Sequence, residues 1–169
     1  MEYNIDALRI RLLVPEDKEK VRVFFSKLGE EGGTFFNRNR GNEGRTVSFC
    51  EGGRLDHIFW AAVHDTDAGE EIVGIVFLWN KENMVPWLGI GITEEWKGRH
   101  LGRRLIAAAR EYCESVGAGG ILLTTAQNNF RGQGLYEHCG FEKIGTYHDG
   151  EILYILRFPN EKLKEHKLV

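Results

Sequence analysis

Between Val85 and Thr125 the chain runs through an apolar stretch, a basic glycine-containing turn, an amphipathic segment and a second apolar stretch. No other feature constrains the fold as tightly, because two strands joined by a helical crossover must lie parallel in their sheet. Val85–Ile92 reads as a buried strand, and Leu101, Leu105, Ala109, Tyr112 and Val116 recur at helical spacing. Gly117-Ala-Gly-Gly stops that helix, and Ile121–Thr125 begins the next strand. The segment "WKGRHLG", residues 96–102, is therefore a strand-to-helix turn inside a β–α–β unit.

The rest of the chain supplies mostly antiparallel partners. Leu8–Val14 reads as a strand, and Pro15 opens a helix with Val21, Phe24, Phe25 and Leu28 on one face, ending near Gly29. From Gly29 to Gly53 there are seven glycines and no sustained periodicity, so a long loop with one short helix or strand is expected. His57–Val63 and Glu71–Trp79 are β-rich runs around the polar "HDTDAGE", the pattern of a hairpin. A second helix is expected from about Asn129 to His138 and a last strand over Glu151–Phe158, with the charged tail 159–169 fraying. A chain of 169 residues with 42% hydrophobic content is expected to form one domain, 1–169.

Several function classes conflict with the composition. A formal charge of −3 and a pI near 6.1 argue against a general nucleic-acid binder. No apolar stretch approaches the roughly 18 residues of a membrane span. Cys50, Cys113 and Cys139 form no CxxC pair and no basic-then-apolar leader is seen, which fits a reducing cytoplasm. His138 beside Cys139 lacks further ligands at suitable spacing, so no metal is expected.

What the turn holds follows from helix electrostatics. The first amides of a helix lack partners and the macrodipole adds positive potential, so an anion is stabilised there. Lys97, Arg99, Arg103 and Arg104 crowd four cations into eight residues of an acidic chain, pointing to a phosphate-bearing ligand. The competing reading makes Gly98 a tight turn, Gly102 a helix-packing site and the cations solvated. A P-loop does not fit, because GxxxxGK[ST] is absent. A dinucleotide fingerprint fails because Glu94 stands where the third glycine should follow Gly89-Ile-Gly91.

The wider constellation resembles the GNAT N-acetyltransferase superfamily, whose acetyl-CoA turn follows Gln/Arg-x-x-Gly-x-Gly/Ala. The aligned positions are Lys97, His100 and Gly102, with His100 departing from glycine. Further on, "NFRGQGLYEHCGF" resembles Asn-x-x-Ala-x-x-Leu-Tyr-x-x-x-Gly-Phe: Asn129, Leu135, Tyr136, Gly140 and Phe141 match, and Gly132 replaces alanine. The likeness covers essentially the whole chain. It implies an α+β, GNAT-like fold: a twisted, mostly antiparallel sheet of six to seven strands, a parallel β–α–β unit for acetyl-CoA, and about four flanking helices.

The resemblance also implies roles. Acetyl-CoA is the expected cosubstrate, held by Ile90, Gly91, Ile92, Lys97, Gly98, Arg99, His100, Leu101, Gly102, Arg103 and Asn129. Its pantetheine arm would lie between Leu88–Ile92 and Ile121–Thr125, with a backbone amide near Ile90 to Ile92 stabilising the oxyanion. Gly89 and Gly91 suggest a bulge or a close approach by another chain; alternatively they make room for Trp87 or another bulky neighbour. His100 is expected in the first helical turn, with ordinary right-handed dihedrals. Tyr136 is the expected general acid toward the departing thiolate, against a packed-aromatic alternative. Asn129 would bind pantetheine amides and also cap its helix. Glu82, Glu94, Glu95, His64 and His148 are available as bases, and none is assigned.

The acceptor is expected from Gly29–Gly53, where Phe35 and Phe36 offer an apolar wall and Glu30, Glu31 and Glu43 attract a cationic amine. The expected function is acetyl transfer to a primary amine of a small molecule. Protein or peptide N-acetylation, a longer acyl donor and a non-catalytic CoA-binding module are the alternatives. The family pattern is compatible with a homodimer.

Overall fold

The computed structural model describes residues 3–38 and 40–159. Its centre is a seven-stranded sheet in the order β1-β2-β3-β4-β5-β7-β6. The strands are β1 (Arg9–Leu12), β2 (Ile58–Thr66), β3 (Gly69–Trp79), β4 (Trp87–Ile92), β5 (Gly120–Thr125), β6 (Glu142–Thr146) and β7 (Ile152–Arg157). Every neighbouring pair is antiparallel except β4 and β5, which are parallel as the crossover requires. The helices are α1 (Lys18–Ser26), α2 (Gly29–Gly32), α3 (Asn42–Cys50), α4 (Leu101–Ser115) and α5 (Phe130–His138). The charged tail lies outside the described residues from 160 onward.

Long strands β2 and β3 form the middle of the sheet and bury both faces. Val73, Val76 and Leu78 pack with Leu101, Leu105 and Ala109 of α4, whereas Ile72, Ile75 and Phe77 pack with Val21, Phe24 and Phe36. The change of phase comes from a bulge: Ala62 pairs with Gly74 but Val63 with Ile72, leaving Val73 as the extra residue. Gly74 then lets α4 approach, since a Cβ there would stand 2.8 Å from Leu105 Cδ1. The hairpin turn is tighter than the polar stretch suggests. Thr66 pairs with Gly69, so only Asp67 and Ala68 link the two strands.

Two expectations are corrected. The 29–53 segment is not a loop but a chain of helical pieces: α2, a π-helical turn over Gly33–Arg38, and α3. Phe36, Thr46 and Cys50 are buried along this segment, so tertiary contact holds helices that the glycines alone disfavour. The strand β6 has no counterpart in the expected elements. All five of its residues are exposed, so it lacks the apolar alternation that marks a strand, and β7 holds it by backbone pairing.

Candidate acetyl-CoA and acceptor cleft

The ladder between β4 and β5 stops almost where it begins. Trp87–Leu122 is its single Cα pair, with the Leu122 amide donating to Pro86 O at 2.9 Å. Beyond it the strand ends part and line an open cleft of about 610 Å³. On the other side β4 pairs regularly with β3, from Trp79–Trp87 to Gly74–Ile92. The Thr93 amide continues that ladder onto Val73 O, at 3.0 Å. By alternation the Gly89 and Gly91 amides belong to β3, whereas those of Ile90 and Ile92 turn toward the opening.

Gly89 and Gly91 therefore do not form a bulge. A Cβ at Gly89 would stand 2.5 Å from Phe77 Cζ, and one at Gly91 would stand 2.3 Å from Phe36 Cδ1. Two phenylalanine rings occupy the space the glycines leave, which is the bulky-neighbour alternative with different neighbours. Gly91 thus acts through its missing side chain, and the exposed amides on this edge are those of the two isoleucines.

The N-terminus of α4 faces the same cleft. Gly98 (φ +71°) and His100 (φ +68°) are both left-handed, and no side chain caps the helix. His100 is thus the N-cap residue and not part of the first turn, so its backbone does favour glycine. The chain must reverse tightly between a 3₁₀ turn over Glu94–Trp96 and Leu101, which requires the positive φ. The following amides, from Leu101 to Arg103, have no intrahelical acceptors and no capping side chain. Gly98 would place a Cβ in open space, whereas one at Gly102 would come 2.7 Å from Leu135 Cδ2 on α5. Gly102 is consequently a contact point between α4 and α5 as well as part of the cleft lining.

The cations divide. Lys97 and Arg103 line the cleft, as does His100, and Arg131, which the sequence reading passed over, joins them. Lys97 Nζ lies 2.9 Å from Glu94 Oε2 and holds that carboxyl below its ordinary range, Arg131 adding a weaker pull. Arg99 points elsewhere: it covers the Tyr3 ring at 4.0 Å, and its Nε donates to Glu95 O at 2.9 Å. Arg104 donates to the carbonyls of Ile5 and Leu8. Arg99 and Arg104 thus brace the N-terminal segment against the turn, and neither is among the residues that line the cleft, although Arg99 was expected there.

Across the cleft, Asn129 caps α5. Its Oδ1 accepts the Gly132 amide at 3.1 Å and its Nδ2 donates to Thr125 Oγ1 at 3.0 Å. Gly132 is dictated by that cap, because a Cβ would stand 2.4 Å from Asn129 Nδ2. Tyr136, on the same helix, lines the cleft while its ring packs against Phe141 and Tyr154, with centroids 6.0 and 5.9 Å away. Burial pushes its phenol up to about 12, Arg40 pulling down and Glu151 pushing up more weakly. Such a phenol is a proton donor at neutral pH. None of Glu82, Glu94, Glu95, His64 and His148 lines the cleft.

One end of the cleft is walled by residues of the Gly33–Arg38 turn and of α3. Phe35, Phe36 and Glu31 line it, Glu30 and Glu43 do not, and Arg40, Asn42 and Arg45 enter with Phe77 and Trp79. Arg40 crosses to the start of β7 and pairs with both oxygens of Glu151, which also accepts from Thr124 Oγ1 at 2.8 Å. The run "NRNRGNEGR" carried a hint of this cationic lining, but its partner lies 111 positions away.

The uncapped α4 amides, the free space at Gly98, the flanking cations and the Ile90 and Ile92 amides make a cradle suited to a phosphopantetheine thioester. The family profile "Acetyltransferase (GNAT) family" matches residues 12–141. This chain belongs to the acetyltransferase (GNAT) family. The mycothiol acetyltransferase of Arthrobacter sp. (strain FB24) is 28% identical over 102 residues, 60% of this chain; the match spans 27% of that protein's length. The GNAT domain of S. lividans PAT superposes with a TM-score of 0.76 at 14% identity, covering 89% of this chain and 90% of that one. An N-acetyltransferase, PaiA, of Thermoplasma acidophilum, solved with coenzyme A, gives 0.70 at 17% identity, covering 89% and 99%. Such identities speak for the fold alone. No described helix is long and apolar enough to cross a membrane.

Proposed function

We propose that the chain is an N-acetyltransferase that moves the acetyl group of acetyl-CoA onto a primary amine of a small molecule, by direct attack through a tetrahedral intermediate. The observation that carries this reading is the early end of the β4–β5 ladder, which leaves the Ile90 and Ile92 amides facing a cleft lined on its far side by Tyr136. In this reading those amides donate to the developing oxyanion, and Tyr136 protonates the departing thiolate. The pyrophosphate would be held by the amides from Gly98 to Arg103, with the Lys97, Arg103 and Arg131 side chains adding charge; Asn129 orders the opposite wall. A small acceptor is favoured over a polypeptide because the 33–50 segment, tied by Arg40 to Glu151, covers the acceptor end. Tyr136 disfavours a non-catalytic CoA-binding role, since a binding module has no use for a proton donor at sulfur. We read residues 1–169 as one acetyltransferase domain acting in the cytoplasm, where free Cys50, Cys113 and Cys139 stay reduced.

The test joins binding to turnover. Acetyl-CoA at 100 times its Kd should stabilise the fold by about 2.7 kcal/mol, and mass spectrometry of an amine library incubated with it should show acetylated products. Tyr136→Phe should keep that stabilisation but lower kcat by roughly 10²–10⁴-fold. An unchanged melting temperature with acetyl-CoA overturns the ligand assignment, and a Tyr136→Phe enzyme of full kcat returns Tyr136 to packing.

A further inference from the structure

The acceptor end of the cleft carries a charge that the protein leaves uncompensated. Arg45, half-buried on α3, lays its guanidinium against Trp79 at 5.1 Å and Phe77 at 5.7 Å from the ring centroids. Among the described residues no carboxylate lies within ion-pair distance of it. Its nearest acidic influence, Asp56, is engaged with His57 Nδ1 at 2.8 Å. The cation Arg40 is neutralised by Glu151, but the fields of Arg40 and Arg54 still act on Arg45. Burial, first, and the like charge of Arg54 lower its basicity, with Asp56 opposing and Arg40 adding more weakly, so an incoming anion would favour its charged form.

One turn away on the same helix, Asn42 supplies an independent observation. It is 3% exposed and lines the cleft; its Nδ2 donates to Phe36 O at 2.6 Å, and its buried Oδ1 has no partner. A buried acceptor of this kind is costly unless a donor arrives. Residues 42 and 45 stand three apart and so share one helix face. An orphan carbonyl, an uncompensated guanidinium and an aromatic wall are thus presented together.

We infer that the acceptor is a small amino acid-like molecule, its carboxylate held by Arg45, its amine or an adjacent N–H by Asn42 Oδ1, and its apolar body by Phe77 and Trp79. The inference deepens the acetyl-transfer reading and rests on it for the role of the site. It runs against the sequence-based expectation of a cation-seeking pocket: of the three glutamates considered there, Glu31 alone reaches the cleft. Polyamines and polycationic amines would meet Arg45, which has no ion-pair partner among the described residues, and are disfavoured. A planar guanidinium flanked by an aromatic wall suits bidentate capture of a carboxylate.

The experiment measures binding and turnover separately. In the presence of CoA, calorimetry compares L-phenylalanine, L-leucine and L-methionine with their carboxamides, with phenethylamine, with spermidine and with O-phosphoethanolamine. Thiol release from acetyl-CoA is followed for the same compounds. At least one free amino acid should bind about 10–100-fold more tightly than its carboxamide or the decarboxylated amine. Arg45→Met should reduce that ratio to near one, and Arg45→Lys should restore part of it. Carboxamide, spermidine or phosphoethanolamine binding as well as the acids, or a ratio unmoved by Arg45→Met, overturns the inference. Arg45-dependent binding of the acids without thiol release would leave the pocket assignment standing and overturn the transfer reading instead. The wild-type panel decides the matter even if a variant folds poorly.

Discussion

His100 sits at φ +68°, in a conformation that costs a side-chain-bearing residue about 1–2 kcal/mol. Glycine at that site removes the penalty while adding about 0.5–1 kcal/mol of unfolded-chain entropy. His100→Gly should therefore stabilise the protein by about 0.5–1 kcal/mol, seen as a higher urea midpoint with an unchanged m value. Its affinity for acetyl-CoA should be equal or higher, because the amide remains and room for phosphate oxygens grows. A loss of affinity would make the imidazole itself a binding group. Tyr136 adds a pH expectation at the same scale. With its phenol pushed up to about 12, it stays protonated across the range in which an acceptor ammonium loses its proton. The rate should thus climb with pH and show no alkaline decline up to about pH 10 from this residue.

The element most dependent on one ion pair is the entry to α1. Asp17 is fully buried and accepts from Arg11 Nη1 and Nη2 at 2.8 and 2.9 Å and from the Val14 amide at 2.9 Å. Burial alone would raise its carboxyl; Arg11, the Val14 amide and Lys20 together hold it below the ordinary aspartate value of 3.8. A depressed carboxyl contributes stability that is complete above the unfolded value of 3.8 and fades as pH falls through the lower folded one. Asp17→Asn should cost about 2–3 kcal/mol at pH 7 and make stability flatter between pH 4 and 2, measured by urea titrations across that range. Equal acid sensitivity in the variant would assign the acid limb to other carboxylates. Elements were unevenly legible beforehand. The β–α–β unit declared itself through Leu101, Leu105 and Ala109, whose burial repeats at helical spacing. The strand Glu142–Thr146 did not, because nothing in it is buried, and α3 was hidden by glycines whose helix is stabilised from outside. At the candidate site, the α4 turn was readable from local order, whereas Tyr136 was singled out by the resemblance of its "LY…GF" surroundings and by local order alone reads as a packed aromatic. The left-handed state of His100 and the Arg40–Glu151 tie depend on chain reversal and on contacts between distant segments, which spacing does not encode.

At the scale of the molecule, the sheet is two antiparallel sets, β1 to β4 and β5 to β7, joined by one parallel pair and bridged by Arg40 and Glu151. Acetyl-CoA bound in the parting should occupy the edge amides of β4 selectively. Hydrogen exchange should then slow at Ile90 and Ile92 on adding acetyl-CoA, while Gly89 and Gly91, already bonded to β3, change little. Uniform slowing along β4 would indicate general rigidification, without strand-like occupation of the gap. The same strand order bears on how the protein comes into being. The pairings β2–β3, β3–β4 and β6–β7 are local in sequence and quick to form, whereas β1 with β2 and β5 with β7 join more distant segments. The cleft takes Ile90 and Trp79 from the first set and Thr124 and Tyr136 from the second. It therefore exists only once the two sets are joined, and a chain in which either set stands alone, however much of its sheet is in place, offers a ligand no cleft of this kind.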